Sequence, residues 1–396
     1  MGLRRLTDLP VEVGTRALVR VDFNVPLQDG RVADDTRIRE SLPTIRWLQD
    51  RGARVILMSH LGRPRGRPDP ALSLAPVADR LAHLLDQPVA FVPACVGAVA
   101  ERAVAALEPG QVALLENLRF DPREEADDAT FARALAELGD VYVDDAFGSA
   151  HRAHASTEGV AHWLPAAAGE LMARELWALA EILGRPDRPY WVLVGGAKVS
   201  DKIRLLKALI PRADGLILGG GMANTFLAAE GLALGRSRVE EEALGMARDL
   251  LADARRLNCP LLLPVDVVAA EDFRADAPAR VAAVGEMRPL EMALDIGPAT
   301  VAQMREALRG ARTVFWNGPM GVFEWDRFRS GTDQVARLLA DLDAKVVVGG
   351  GDSAAAVHQA GVAERLTHIS TGGGAALELL EGRTLPGVAV LERDDD

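Results

Sequence analysis

The sequence predicts an α/β protein of two Rossmann-like lobes, each a largely parallel sheet flanked by helices, joined by a hinge helix. Three observations predict it. Short β-rich apolar runs alternate with longer helical patterns along the whole chain, as βαβ units and a parallel sheet require. The punctuation changes midway: four of the six apolar runs of the second half end in glycine pairs or triplets. At 396 residues the chain has room for two or three domains of roughly 150 residues each.

In order, the first half offers the runs "RALVRVDFN" (16–24), "ARVILMSH" (53–60), "QVALLENLRF" (111–120) and "DVYVDDAF" (140–147). Helical stretches lie at 39–51, 74–86, 97–107 and 126–138. "PAAAGELMARELWALAEIL" (165–183) has few breakers and reads as one helix, ended by "GRPDRP" (184–189), because proline removes a donor and fixes φ. That helix and turn are the expected connector. Beyond it come the runs 190–196, 215–221, 260–268, 313–319, 345–351 and 366–374. The acidic end "ERDDD" reads as a frayed tail.

Composition excludes several classes. Hydrophobic content of 49% with 26% charged residues is that of an ordinary globular protein. A net charge of −12 argues against a general nucleic-acid or membrane-surface binder. It leaves room for a local cationic pocket. Cys95 and Cys259 lie far apart without metal-ligand spacing, which fits a reducing compartment. "MGLRRLTDLPVE" lacks the apolar stretch of a signal peptide, and no apolar run approaches ~18 residues. The expected location is the cytoplasm.

Only four residues are lysine, against forty-one arginines, and Lys198, Lys202 and Lys207 fall within ten positions beside a glycine pair. An ammonium is a compact point charge on a flexible stem, whereas a guanidinium is a planar fork. Ligands of open parallel sheets bind beyond the carboxyl ends of the strands. In the first half those positions hold Asp22, Asn24, His60, Arg63, Arg119, Asp144, Asp145 and Arg152, with Arg37 close behind the first strand. In the second they hold Lys198, Gly219–Gly221, Asp266, Asn317, Asp352 and Gly372–Gly374.

Arginine forks grip carboxylate or phosphate with two parallel hydrogen bonds. Glycine turns that lead into helix N-termini let backbone amides approach phosphates. An aspartate at such a turn suits Mg2+, which favours oxygen ligands and phosphate oxygens. Each residue also has a plain reading. The arginines could be surface charges, His60 and His154 structural polar groups, Asp352 a helix cap and Glu324 a loop acid.

No G-x-x-x-x-G-K-[ST] occurs, which excludes a P-loop. "GGGDSA" (349–354) fits a weak dinucleotide fingerprint, yet the acid expected after the next strand is missing. Together the two sets of strand ends suggest a nucleotide on one side and an anionic acceptor on the other, and two rival classes stand beside that reading: an NAD-linked dehydrogenase and a non-catalytic two-lobed anion-binding protein of the periplasmic type.

Nine stretches in order resemble the phosphoglycerate kinase family: "RVDFNVP" (20–26), "TRIRESLPTI" (36–45), "SHLGRP" (59–64), "ENLRF" (116–120), "DDAFGSAHRAHAS" (144–156), "GGAKVSDKI" (195–203), "GGGMANTF" (219–226), "WNGPMGVFE" (316–324) and "GGGDSAAAV" (349–357). The resemblance implies reversible phosphoryl transfer between ATP and 3-phosphoglycerate, with Mg2+, in a monomer whose partners are these small molecules. It implies an acceptor lobe of 1–165 plus 385–396, a connector helix at 166–184 and a nucleotide lobe of 185–384.

By the same resemblance, Asp22, Phe23, Asn24, Arg37, His60, Leu61, Gly62, Arg63, Arg119 and Arg152 bind the acceptor. Lys198, Lys202, Gly220, Asn317, Glu324, Gly350, Gly351, Asp352 and Ser353 bind the nucleotide, with Glu324 at the ribose and Asp352 on the metal. Arg37, Lys198, Gly351 and Gly374 serve the transfer itself. Ser353 stands where the family commonly has threonine, and Leu118 where it commonly has valine. Two lobes holding one substrate each imply hinge closure near 165–189, which would exclude water.

Overall fold

The computed structural model describes residues 2–393. The chain divides into two compact units. One runs to Trp177 and takes back the segment from Thr384; the other runs from Ala178 to Arg383. The division falls inside the helix Glu170–Leu183.

The first unit is built on six parallel strands. They are β1 (Arg16–Arg20), β2 (Arg54–Met58), β3 (Val89–Val92), β4 (Val112–Leu115), β5 (Val141–Asp144) and β6 (Ala166–Ala168), in the spatial order β3-β4-β2-β1-β5-β6. Central strands of such sheets are covered on both faces and read as continuous apolar runs, and β1 is buried at all but its first residue. Val19, Val55, Leu57 and Leu114 pack with Ile38, Ile45, Val77 and Leu81 from the helices Thr36–Gln49 and Ala75–Leu85.

Two of these strands differ from the sequence expectation. β3 is a short, half-exposed edge with too little apolar pattern to be seen. β6 lies in residues expected to begin the connector helix; the helix starts only at Glu170. Alanine favours helix intrinsically, but here Ala166–Ala168 complete the sheet beside β5. Gly169 then turns the chain, and a Cβ there would collide with the Asp145 carboxylate. Asp145 Oδ1 accepts from the amides of Leu171 (2.9 Å) and Met172 (3.3 Å), which fixes the start of the helix.

The second unit repeats the scheme with β7 (Tyr190–Val194), β8 (Gly215–Leu218), β9 (Leu261–Leu262), β10 (Asp266–Ala270), β11 (Ala279–Ala283), β12 (Met292–Ile296), β13 (Thr313–Asn317), β14 (Lys345–Gly349) and β15 (His368–Ile369). Its parallel sheet has the order β9-β8-β7-β13-β14-β15. Strand order reverses between β7 and β13, a switch point where such sheets open a crevice. Leu193, Val314, Trp316 and Val348 pack against Val301, Met304, Val335, Leu339 and Val357.

An antiparallel sheet, β11-β10-β12, was not expected. The run 260–268 reads as one strand, but it is two: β9 ends at Leu262, Pro264 intervenes, and β10 begins at Asp266. Proline is poorly tolerated within a ladder.

The C-terminal segment is tied to the first unit. Gly387 N donates to the Ala150 carbonyl (2.9 Å), Arg4 N to the Leu391 carbonyl (2.9 Å), and Arg393 pairs with Asp8 (2.7 Å). Within "ERDDD", therefore, the glutamate and arginine are ordered against the N-terminal residues; Asp394–Asp396 lie outside the described residues. Among the described residues no helix is long and apolar enough to cross a membrane.

Candidate active site

In the first unit the carboxyl ends of β1, β2 and β4 converge. β1 ends on Arg20, which is fully buried. Its Nε lies 2.8 Å from Ser156 Oγ, its Nη2 lies 3.1 Å from His60 Nδ1, and its Nη1 donates to the Val21 carbonyl. Two residues on, Asp22 Oδ1 accepts from Arg37 Nη1 at 3.1 Å. Asn24 Oδ1 accepts from Gly62 N at 2.9 Å, which fastens the loop after β1 to the loop after β2. Phe23 N donates to Ser59 Oγ at 2.9 Å.

Arg119 follows β4 in a short turn opened by Asn117. It is nearly buried, donates to the Gly62 carbonyl at 2.9 Å and stands 3.3 Å from Glu125. Arg152, half-buried, donates to His151 Nε2 at 3.1 Å. Arg63 is exposed on the same loop as Gly62. The side chains of Phe23 and Leu61 lie in the hydrophobic core, which leaves only their main chains to face a ligand.

The arginines set the charge state of their neighbours. Burial pushes His60 well below the usual histidine range, and Arg20, Arg119 and Arg152 push in the same direction against the pull of Asp22. His154 goes down to about 3 through burial and then Arg119, Arg20 and Arg152. Both rings are neutral at pH 7. Burial works against an ionised Asp22, but His60 when protonated, and Arg37 and Arg20 at every pH, hold its carboxyl below the ordinary value. The result is a small region rich in fixed positive charge whose histidines add none. It can hold a compact anion through arginine forks and neutral donors.

In the second unit the strand ends carry backbone amides and one lysine. Lys198 is exposed in the glycine turn after β7. Lys202 precedes the helix Ile203–Leu209 and donates to Asn317 Oδ1. Asn317, at the end of β13, gives its own amide to the Gly349 carbonyl at 2.6 Å. Ser353 Oγ, fully buried, accepts from Gly318 N at 2.6 Å. Burial lowers the Lys202 pKa, opposed by Asp201, Asp352 and Glu381.

Gly350 has φ 96°, and a Cβ there would come within 2.7 Å of Asn317 Nδ2. Gly220 has φ 67°, with the Gly196 carbonyl 2.7 Å from its would-be Cβ. Only glycine allows both turns. Gly220 and Gly351 each open a helix, Gly220–Ala229 and Gly351–Gln359, so free amides and dipoles gather here. Gly374 opens the shorter helix Gly374–Leu380.

A cavity of about 490 Å³ opens beside Gly220; Lys198, Lys202, Asn317, Gly350, Gly351, Ser353 and Gly374 are not among the residues that line it. Gly220, Gly221, Asp352 and Glu324 line it beside apolar Val267, Leu294 and Met320. That mixture suits a flat apolar base at one side and charged groups at the other. Among the described residues no cluster of three His, Cys, Asp or Glu groups could hold a metal unaided. The donor set, one exposed aspartate at a helix start, fits Mg2+, which is commonly held by one or two carboxylates plus phosphate oxygens.

Sequence reasoning passed over Arg20, Glu124, Ser156, Arg236 and Arg238. Arg20 had a signal, since it is a charge at the carboxyl end of a strand whose interior is apolar. Glu124 and Ser156 meet it only through the fold, and Arg236 and Arg238 reach the cavity from a loop without a motif.

A family model described as phosphoglycerate kinase matches residues 6–383. A phosphoglycerate kinase of Moorella thermoacetica is 58% identical over 391 residues, 99% of each chain. One of Chloroflexus aggregans is 56% identical over 385 residues, 96% of each. Among solved structures, phosphoglycerate kinase from Coxiella burnetii aligns with a TM-score of 0.89 at 40% identity, and that from Pyrococcus horikoshii with 0.88 at 34%, each over 98% of both chains.

Proposed function

The chain belongs to the phosphoglycerate kinase family, whose reaction is ATP-dependent phosphoryl transfer to 3-phosphoglycerate, and on that premise we propose how its own residues divide the work. The first unit binds 3-phosphoglycerate. Arg63, Arg119 and Arg152 take the phosphate, with His60 donating to it as a neutral imidazole. Asp22 and Asn24 take the glycerate hydroxyl, and the backbones of Phe23, Leu61 and Gly62 shape the pocket.

The second unit binds the nucleotide. Glu324 meets the ribose, and the amides of Gly220, Gly350, Gly351 and Ser353 meet the phosphates with Lys202, which Asn317 aims. Asp352 would hold Mg2+, which supplies charge neutralisation at the phosphate oxygens. The observation that carries this division is the pair of unlike strand edges. One offers buried arginines around neutral imidazoles, and the other offers helix-opening glycines beside Lys202.

Phosphoryl transfer asks for in-line positioning and charge neutralisation more than for covalent help. A carboxylate acceptor and a polyphosphate donor repel, so cations must stand where they meet. Lys198 suits that task because its ammonium is exposed on a mobile stem and makes no hydrogen bond or ion pair among the described residues. Arg37 neutralises the transferring group from the acceptor side. The amides of Gly351 and Gly374 add dipoles that need no reorganisation. A coupled assay with ATP, Mg2+ and 3-phosphoglycerate tests the whole reading. Formation of ADP and 1,3-bisphosphoglycerate, reversible on adding the products, is expected; nucleotide hydrolysis without acyl-phosphate formation would contradict it.

A further inference from the structure

We propose that Ser156 and Glu124 are positioning residues that act through Arg20 to hold His60 as the imidazole with its proton on Nε2. Arginine has five N–H donors and no acceptor. Arg20 Nη2 lies 3.1 Å from His60 Nδ1, so Nδ1 must receive that hydrogen bond through its lone pair. A neutral imidazole that accepts at Nδ1 carries its proton at Nε2. His60 is neutral because it is buried among Arg20, Arg119 and Arg152. The ring is thereby a fixed donor, whatever the pH within the neutral range.

Arg20 is itself aimed from behind. Its Nε meets Ser156 Oγ at 2.8 Å. Ser156 Oγ stands 2.6 Å from Glu124 Oε1, and Ser156 N donates to Glu124 Oε2 at 3.0 Å. A hydroxyl has one proton and two lone pairs. It gives the proton to Glu124 and turns a lone pair to Arg20. All of Arg20, Ser156 and Glu124 have no exposed surface, so this chain of three has no water to substitute for a lost member, and a displaced link leaves a buried group unpaired. The charge of Arg20 is answered by Asp22, which its cationic neighbours hold below the ordinary carboxylate value, and Arg20 in turn pulls down a Glu124 carboxyl that burial raises. None of the three needs to touch substrate for the arrangement to matter.

The inference rests on the reading of His60 as an acceptor-site donor, and the test separates the two. The full chain, labelled with 15N histidine, is measured between pH 6 and 8, and His60 is assigned with a His60→Asn variant among the seven histidines. An unprotonated Nδ1 and a protonated Nε2 are expected throughout; a protonated Nδ1 overturns the proposal without any variant. In Ser156→Ala the His60 resonances should report a mixture of tautomers. The KM for 3-phosphoglycerate should rise roughly tenfold, the size of one lost charge-assisted hydrogen bond, while that for ATP stays within twofold.

Ser156→Thr, which keeps the hydroxyl, should restore both. An unchanged tautomer in Ser156→Ala, or equal losses for both substrates, overturns the proposal. A correct tautomer whose resonances ignore added 3-phosphoglycerate would uphold the relay and overturn the acceptor site instead.

Discussion

Lys198 and Arg37 are asked to do similar work from different starting points. Lys198 is exposed, whereas Arg37 is engaged by Asp22 at 3.1 Å and by the Asn24 carbonyl at 3.4 Å. An exposed ammonium contributes little to ground-state nucleotide binding and gains its value only as charge migrates. Lys198→Ala should therefore lower kcat by about 10²–10³, the usual loss for one preorganised donor to the transition state, with the ATP dissociation constant nearly unchanged. Isothermal titration beside steady-state kinetics checks it, and a matching loss of affinity would contradict the role. Arg37→Ala differs because it also releases Asp22. It should lower kcat and raise the KM for 3-phosphoglycerate together, while leaving ATP binding alone.

Most of the residues named here were legible because charge or glycine at a strand end is informative by itself. Arg20 shared that signal and was passed over, and Ser156 and Glu124 had none, because Ser156 meets Arg20 across 136 residues of chain and Glu124 reaches it only through Ser156.

At the scale of elements, the glycine turns are the parts that substitution should break most selectively. At Gly350 two constraints coincide: a left-handed φ of 96° and Asn317 Nδ2 only 2.7 Å from a would-be Cβ. Gly350→Ala should cost about 1–3 kcal/mol of stability, the price of a strained backbone position. Its more telling effect is on function. Displacing Asn317 frees Lys202, so the KM for ATP should rise while that for 3-phosphoglycerate does not. Chemical denaturation and two substrate titrations separate these effects; equal changes for both substrates would deny the turn its local role.

Long apolar strands and the helices between them were readable from period and punctuation. The failures were short or alanine-rich pieces, β3, β6, β11 and β12. Their strand state comes from the neighbour they pair with, since β-structure depends more on context than on intrinsic preference.

At the scale of the whole molecule, three buried aspartates set how stability responds to pH. Burial pushes Asp144 up to about 7 and Asp295 up to about 7, although backbone amides donate to both. It pushes Asp145 up to about 8 against the two amides that start the connector helix. In the unfolded chain all three ionise near 4. Between that value and the folded one, the native state binds more protons than the unfolded state, so stability falls as pH rises.

The opposing groups act elsewhere. Asp35, Asp121, Asp140 and Glu240 have lowered values, so their contribution is lost only as pH falls below the carboxylate range. His60 and His154, also lowered, oppose folding only below about 6.5, where the unfolded chain takes up their protons. Above that point the raised buried carboxyls, Glu124 among them, govern the slope. The midpoint of thermal unfolding should therefore drop by a few degrees between pH 6.5 and 8.5. Asp145→Asn should flatten that slope, because an asparagine Oδ1 can accept from Leu171 and Met172 without a charge to bury. A midpoint that rises across this interval, or a slope that Asp145→Asn leaves untouched, would mean that these carboxylates are ionised in the native chain and that their amide donors outweigh burial.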